Sequence, residues 1–353
     1  MIEHRLCSLA AGALLIMCCS AAPAMAEADG LPHDLAAMKA EYRRPPARPA
    51  DNPALAELGR ELFFDPVISA SGKTSCATCH RPEFGWASNE ARSKGDSGRP
   101  TQRRTQTLLG IGHACGPFDW DGRHATLEAQ AVASIGTGSM SMFATPNEVR
   151  VDDIVARLRG SESYAGKFAR ALPGAPINLD TIVMALAAFE RTIEPDIAPF
   201  DRWIMGDEGA ISAAAKRGFV LFHTEAGCSG CHAGWRFTDD RFHDIGTTAI
   251  DRGRGRERKS DPKMQFAFKT PTLRSVALRA PYMHDGSIAT LRNVVDLYVR
   301  GGIDRPSRSP MINPLDLTED ERNDLVAFLE TLTGEDHSFT PPSSRRHGRS
   351  TGR

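Results

Sequence analysis

The sequence predicts a mostly helical protein of two related domains with long loops between short elements. Three observations carry this. The pentapeptide Cys-x-x-Cys-His occurs twice, as Cys76-Ala77-Thr78-Cys79-His80 and Cys228-Ser229-Gly230-Cys231-His232. Each copy follows a stretch with glycine and phenylalanine four apart, Gly59 with Phe63 and Gly218 with Phe222, which reads as a helix leading into the pentapeptide. Strand-like alternation is scarce along the 353 residues.

Taken in order, residues 1–26 read as a secretory signal peptide, with Arg5 in the polar head, an apolar run from Leu9 to Met17 and Ala24-Met25-Ala26 as the cleavage site. The run falls far short of the roughly 20 residues of a membrane span. Cys18 and Cys19 raise a lipoprotein anchor as the alternative, but Leu15-Ile16-Met17 before them lacks small residues. Residues 27–54, rich in Pro, Ala and Arg, read as an extended arm. A first domain is expected over 55–200, with helices at Leu55–Phe64 and at Leu179–Ile193, the latter capped by Asp180 and stopped by Pro195. A second is expected over 201–336, with helices at Leu291–Val299 and after the Thr318/Glu321 capping box, closed by Gly334. Residues 337–353 form a basic tail with little to bury, expected to be disordered.

The pentapeptides carry the chemistry. Two thiols at this spacing can bond covalently to the vinyl groups of one haem while the adjacent histidine ligates its iron. One Cys-x-x-Cys alone could be a redox dithiol or half a zinc site. Two copies, each followed by histidine and 152 positions apart, fit neither. Two covalently attached c-type haems are expected, on Cys76, Cys79 and His80 and on Cys228, Cys231 and His232. The net charge of −1 argues against nucleic acid as a partner. With the signal cysteines removed, Cys115 is left without an internal partner and reads as a buried apolar thiol.

A haem iron closed by a second strong ligand passes electrons; one with an open face reacts. Between His80 and Arg104 there is no further His and no Met, so the first iron is expected to be open. His113 and Met140 are the more distant candidates, with hydrogen bonding and packing as their ordinary roles.

The chain resembles the bacterial dihaem cytochrome c peroxidase and MauG superfamily from about residue 55 to residue 334. The motifs that carry the resemblance are Leu58-Gly59-Arg60-Glu61-Leu62-Phe63-Phe64-Asp65, Trp120-Asp121-Gly122-Arg123 with Glu128-Ala129-Gln130, Phe200-Asp201-Arg202, Thr270-Pro271-Thr272-Leu273-Arg274 and Pro281-Tyr282-Met283-His284-Asp285-Gly286. The resemblance implies two cytochrome c-like haem domains, with His80 on the peroxide-reactive haem, His232 on the electron-transferring one and Trp120 as the relay between them. It places Gln130 with the catalytic residues. The family's catalytic glutamate does not fall at the usual interval, where Gly138-Ser139-Met140 stands, and Glu148 reads as its displaced counterpart beyond an insertion covering Gly136 to Phe143. Glu148 as an ordinary acid at a helix N-terminus is the competing reading.

Fourteen residues after His284, where the peroxidases of the family place a methionine ligand, stands Tyr298, as in MauG-like members. A phenolate favours oxidised iron, whereas methionine raises the potential. The family also holds a calcium ion on an asparagine side chain and two carbonyls. The carbonyl positions match Arg279 and Pro281, but Thr105 replaces the asparagine and is a weaker ligand. The expected function is a periplasmic dihaem peroxidase that reduces hydrogen peroxide at the His80 haem. Electrons come from a small donor protein, a cytochrome c or copper protein, through the His232/Tyr298 haem and Trp120. A MauG-like oxidase acting on Trp or Tyr side chains of a protein substrate is the alternative, and a pure electron carrier the third reading.

Overall fold

A computed structural model describes residues 34–136, 138–140, 151–247, 250–334 and 339. The signal segment, Glu148 and the basic tail lie outside them. Eleven helices are present among these residues: α1 Leu35–Glu41, α2 Pro53–Phe64, α3 Cys76–Cys79, α4 Leu127–Gly136, α5 Val151–Arg159, α6 Glu162–Ala171, α7 Leu179–Glu190, α8 Pro199–Ile204, α9 Ala213–His223, α10 Leu291–Val299 and α11 Glu319–Glu330. Two short strands, β1 Phe242–His243 and β2 Phe268–Lys269, pair antiparallel. No helix among the described residues is long and apolar enough to cross a membrane.

Two large apolar clusters and a small one of Phe118, Leu127 and Ala187 form the core among the described residues, and the two large ones are built the same way. In the first, α2 crosses α7 so closely that a Cβ on Gly59 would lie 1.8 Å from the Ala185 carbonyl oxygen and 2.9 Å from Phe189 Cβ. In the second, α9 crosses α11, and a Cβ on Gly218 would lie 2.0 Å from the Asp324 oxygen and 2.9 Å from Phe328 Cβ. The phenylalanine one turn later packs on the same partner: ring centroids of Phe63 and Phe189 are 5.2 Å apart, those of Phe222 and Phe328 5.1 Å. The duplication read from sequence is thus a duplicated helix crossing. Only glycine allows it, since any side chain there meets backbone.

Several local expectations are corrected. The arm is not extended throughout: Leu35–Glu41 is helical, and Tyr42 after it is fully buried in the second cluster, its ring 4.5 Å from Phe237. Asn178, not Asp180, caps α7, with Oδ1 accepting from Thr181 N at 2.9 Å, and the helix ends at Glu190, short of Ile193. The Thr318/Glu321 capping box is present, but α11 ends at Glu330 with Thr331 as its cap. Gly334 lies beyond, where a Cβ would press within 2.5 Å of Asp196 Cβ.

The last residue of α7, Glu190, is buried with Oε2 lacking a hydrogen-bond partner. Burial raises its carboxyl from 4.5 to about 8, so the folded protein holds a proton that the unfolded chain releases. The stability this group contributes is present below pH 4.5 and lost as pH rises through about 8. Glu190→Gln is therefore expected to flatten that fall and to raise stability above pH 8 by on the order of a few kcal/mol. Thermal melts of both proteins from pH 5 to 9 would check it, and parallel curves would contradict it.

Candidate haem sites

Both pentapeptide histidines are held in one orientation by the same device. Nδ1 of His80 donates to the Trp86 carbonyl at 3.2 Å, and Nδ1 of His232 donates to the Phe237 carbonyl at 2.8 Å. A carbonyl only accepts, so in each ring Nδ1 carries the proton and Nε2 is left as the ligating atom. The carbonyls are presented by residues at positive φ, 56° for Trp86 and 54° for Phe237, which both side chains tolerate because the core clamps them. Each imidazole also faces the phenylalanine of its helix crossing, at 6.3 Å for Phe63 and His80 and 6.5 Å for Phe222 and His232. Burial lowers both histidines below the usual range, keeping them neutral and fit to bind iron. Cys76, Cys79, Cys228 and Cys231 are all unpaired thiols. Burial pushes Cys228 up to about 12 and raises Cys76 further, so neither is a reactive thiolate of the dithiol type.

Beside the second pentapeptide lies a cavity of about 240 Å³ lined by Cys228, Cys231, His232, Tyr298, Trp120 and apolar residues of α9, α10 and α11. Tyr298 enters it from α10, which begins at the Thr290 cap, whose Oγ1 accepts from Asn293 N at 3.1 Å. Burial raises the phenol above its ordinary range, so Tyr298 is neutral on its own and a ferric iron is the charge that would release its proton. These residues fit haem c: two thiols, an oriented imidazole and a second oxygen donor share one largely apolar cavity. A haem so held supplies one-electron chemistry, and activation of peroxide where an iron face stays open.

Trp120 stands at the tip of a tight turn between Asp119 and Gly122, at φ 69° and 66°. Its Nε1 donates to the Arg104 carbonyl at 2.8 Å, and its own carbonyl accepts from Lys269 N at 2.8 Å. Gly122 is needed because Arg254, lying 4.0 Å over the Phe242 ring, donates to the carbonyls of Asp121 and Gly122, and a Cβ would come within 2.2 Å of its Nη1. Asp121 is buried between Arg103 and Arg123, which hold its carboxyl below the usual range against the cost of burial. The relay candidate is thus pinned from both halves of the chain.

The remaining candidates are placed less centrally. Gln130 donates to Ser134 Oγ at 3.0 Å within its own helix. His113 uses Nε2 on Glu194 Oε1 at 2.6 Å, and Met140 is buried in the first cluster, so both keep ordinary roles. Cys115 is exposed, not buried, because it sits in a surface loop just before the Gly116-Pro117 turn. Of the calcium candidates Thr105, Arg279 and Pro281, Thr105 Oγ1 bonds Ser93 Oγ at 2.8 Å, and the Arg279 carbonyl accepts from the Arg104 guanidinium at 2.8 Å. Cys231, Asp239 and His243 bring three donor atoms within 4.8 Å, but haem attachment through Cys231 would leave only a carboxylate–imidazole pair, too few ligands for a metal.

Sequence reasoning missed the supporting carbonyls of Trp86 and Phe237, which carry no side-chain signature. It also missed that two of its motifs meet: Arg274 is buried on Asp201 at 2.8 and 2.9 Å, and its Nε donates to the Trp235 carbonyl.

Comparison with known proteins agrees with this geometry. The di-haem cytochrome c peroxidase family matches residues 53–209 and the cytochrome c family residues 215–333. The chain is 46% identical over 341 residues to the methylamine utilization protein MauG of Methylorubrum extorquens, covering 94% of each chain. It is 31% identical to the cytochrome c551 peroxidase of Nitrosomonas europaea, covering 85% of this chain and 87% of the relative. A solved MauG-like protein associated with microbial copper homeostasis superposes with a TM-score of 0.75 at 32% identity, over 85% of this chain and 96% of that one.

Proposed function

The chain belongs to the dihaem cytochrome c peroxidase and MauG family, haem c oxidoreductases with peroxide-related chemistry, and we propose that it is an exported enzyme that reduces hydrogen peroxide at the His80 haem. His232 and Tyr298 would hold a second haem, which would supply storage and passage of charge, with Trp120 as the relay between the two sites. The observation that carries this is an asymmetry between equal supports. Both imidazoles are oriented alike, yet a second oxygen donor, Tyr298, stands in the cavity of His232, while the candidates for the other face of His80 are engaged elsewhere.

Each protein group then has a task. The Trp86 and Phe237 carbonyls fix the two rings and increase their basicity. Glu148 accepts a proton from hydrogen peroxide and returns it to the departing oxygen, general acid–base work that a carboxylate does well when shielded from water. Two described neighbours in the chain support that role. The Met140 carbonyl accepts from Ala70 N at 3.1 Å, and Arg157 of α5 donates to the Ser69 carbonyl at 2.7 Å. Met140 and Arg157, described residues on either side of it in the chain, thus both bond the turn that leads into Cys76.

The source of the electrons divides two readings. The sequence put a small donor protein first. Tyr298 in the cavity of His232, which favours oxidised iron, and the higher identity to MauG relatives than to peroxidases both support the second reading, in which the electrons come from Trp or Tyr side chains of a partner protein. Trp120→Phe tests the relay. It keeps an aromatic ring but replaces the indole and its donor to Arg104, and oxidation of the second haem by peroxide is expected to slow at least about tenfold, about 1.4 kcal/mol of barrier. Stopped-flow absorbance would read each haem separately. Unchanged oxidation of the second haem would overturn the role of Trp120.

A further inference from the structure

Arg104 joins more parts of the two haem sites than any other residue described above. Its backbone N donates to the His284 carbonyl at 2.7 Å, and its carbonyl holds Trp120 Nε1. Its Nη2 reaches the Arg279 carbonyl at 2.8 Å, the Ala280 carbonyl at 3.4 Å and, by a very short contact, the carbonyl of Ser88, two residues past the carbonyl that orients His80. The side chain is buried, with Nε unpartnered. Arg279 is buried as well and donates to the Thr272 and Ser275 carbonyls at 2.6 and 3.3 Å. Both arginines line the His232 cavity, and their hydrogen bonds named here all go to carbonyls rather than carboxylates.

We propose that Arg104, backed by Arg279, takes the place of the family's calcium ion, so that this enzyme holds Trp120 and the 279–284 loop together without a divalent metal. The proposal rests on the family assignment, because it is that family's metal which is replaced. A calcium ion needs its carbonyl ligands at roughly 2.3–2.6 Å. The approach to the Arg279 carbonyl is already occupied by a guanidinium nitrogen, and the Thr105 hydroxyl is bonded to Ser93. Charge argues the same way. Both guanidinium groups are buried and bond only carbonyls here, and a dication among them would add repulsion in a medium of low dielectric. The pair supplies the two positive charges that the ion would bring. The acidic substituents of the haem are the counter-charge the cavity asks for.

The test uses the full protein carrying both haems, dialysed against calcium-containing buffer and gel-filtered. Metal analysis is expected to find substoichiometric calcium. Prolonged EGTA treatment is expected to leave the melting temperature, the haem absorbance bands and the reaction with peroxide unchanged. Stoichiometric calcium surviving gel filtration would overturn the proposal whether or not its removal alters these readouts, while a lack of peroxide reactivity in protein isolated without calcium and with both haem spectra intact would strike the functional reading instead. Arg104→Gln removes the charge and keeps a donor. It is expected to lower the reduction potential of the second haem, with Arg104→Lys close to the parent. Equal potentials in all three proteins would also overturn it.

Discussion

Replacing Tyr298 with phenylalanine is expected to reduce peroxide-driven oxidation of a partner protein by about a hundredfold or more, since even residues that merely support a metal ligand are worth 10–100-fold. The substitution removes one oxygen from a side chain whose helix, α10, lines the cavity with the apolar Leu291, Val294, Val295 and Val299, so the fold should hold. A second iron held there would lose a hard anionic donor and with it the preference for the oxidised state. Electron paramagnetic resonance of the ferric variant should then show the second haem changed in spin state and the first unaltered. Spectra identical to the parent would mean that Tyr298 only packs. Tyr298→Met is expected to behave differently again: a thioether raises the potential, and the variant should need prior reduction before it reacts.

Gly59→Ala and Gly218→Ala are each expected to cost about 3 kcal/mol net, after the ~1 kcal/mol that alanine gains in helix propensity. The new methyl carbon would sit 1.8 Å from the Ala185 oxygen in one case and 2.0 Å from the Asp324 oxygen in the other, and backbone cannot move aside as a flexible side chain would. A fall of roughly 6 to 12 °C in melting temperature corresponds to this loss. Gly166→Ala in α6 is the control. Its Cβ would meet only Arg170 Nη1 at 3.8 Å, so alanine there should be neutral or stabilising. Equal melting temperatures for all three would mean that the helix crossings are looser than they stand here.

What the sequence made legible was what repeats or carries side-chain chemistry. The two pentapeptides, the glycine–phenylalanine pairs before them and the helix at Leu291–Val299 were all readable because each rests on a fixed spacing. Tyr298 was readable only through the family resemblance, since a tyrosine in an amphipathic helix is ordinarily a packing residue. The carbonyls that orient His80 and His232 were not readable, because any residue supplies a carbonyl and only the fold decides which one points inward. Asp180 looked like a cap because acids favour helix starts, but Asn178 reaches the N3 amide with better geometry and wins. Arg104 was passed over as one of two adjacent arginines, and Cys115 was judged by residue type where its loop position decides exposure.

The central claim is that two haem supports built alike carry irons that differ, one open at His80 and one closed by Tyr298. Adding hydrogen peroxide to the fully ferric protein tests it most directly. Both haems are expected to change their absorbance without any prior reduction and to remain oxidised for long enough to be trapped by rapid freezing. No change until one haem has been reduced would contradict the claim and identify a gated peroxidase.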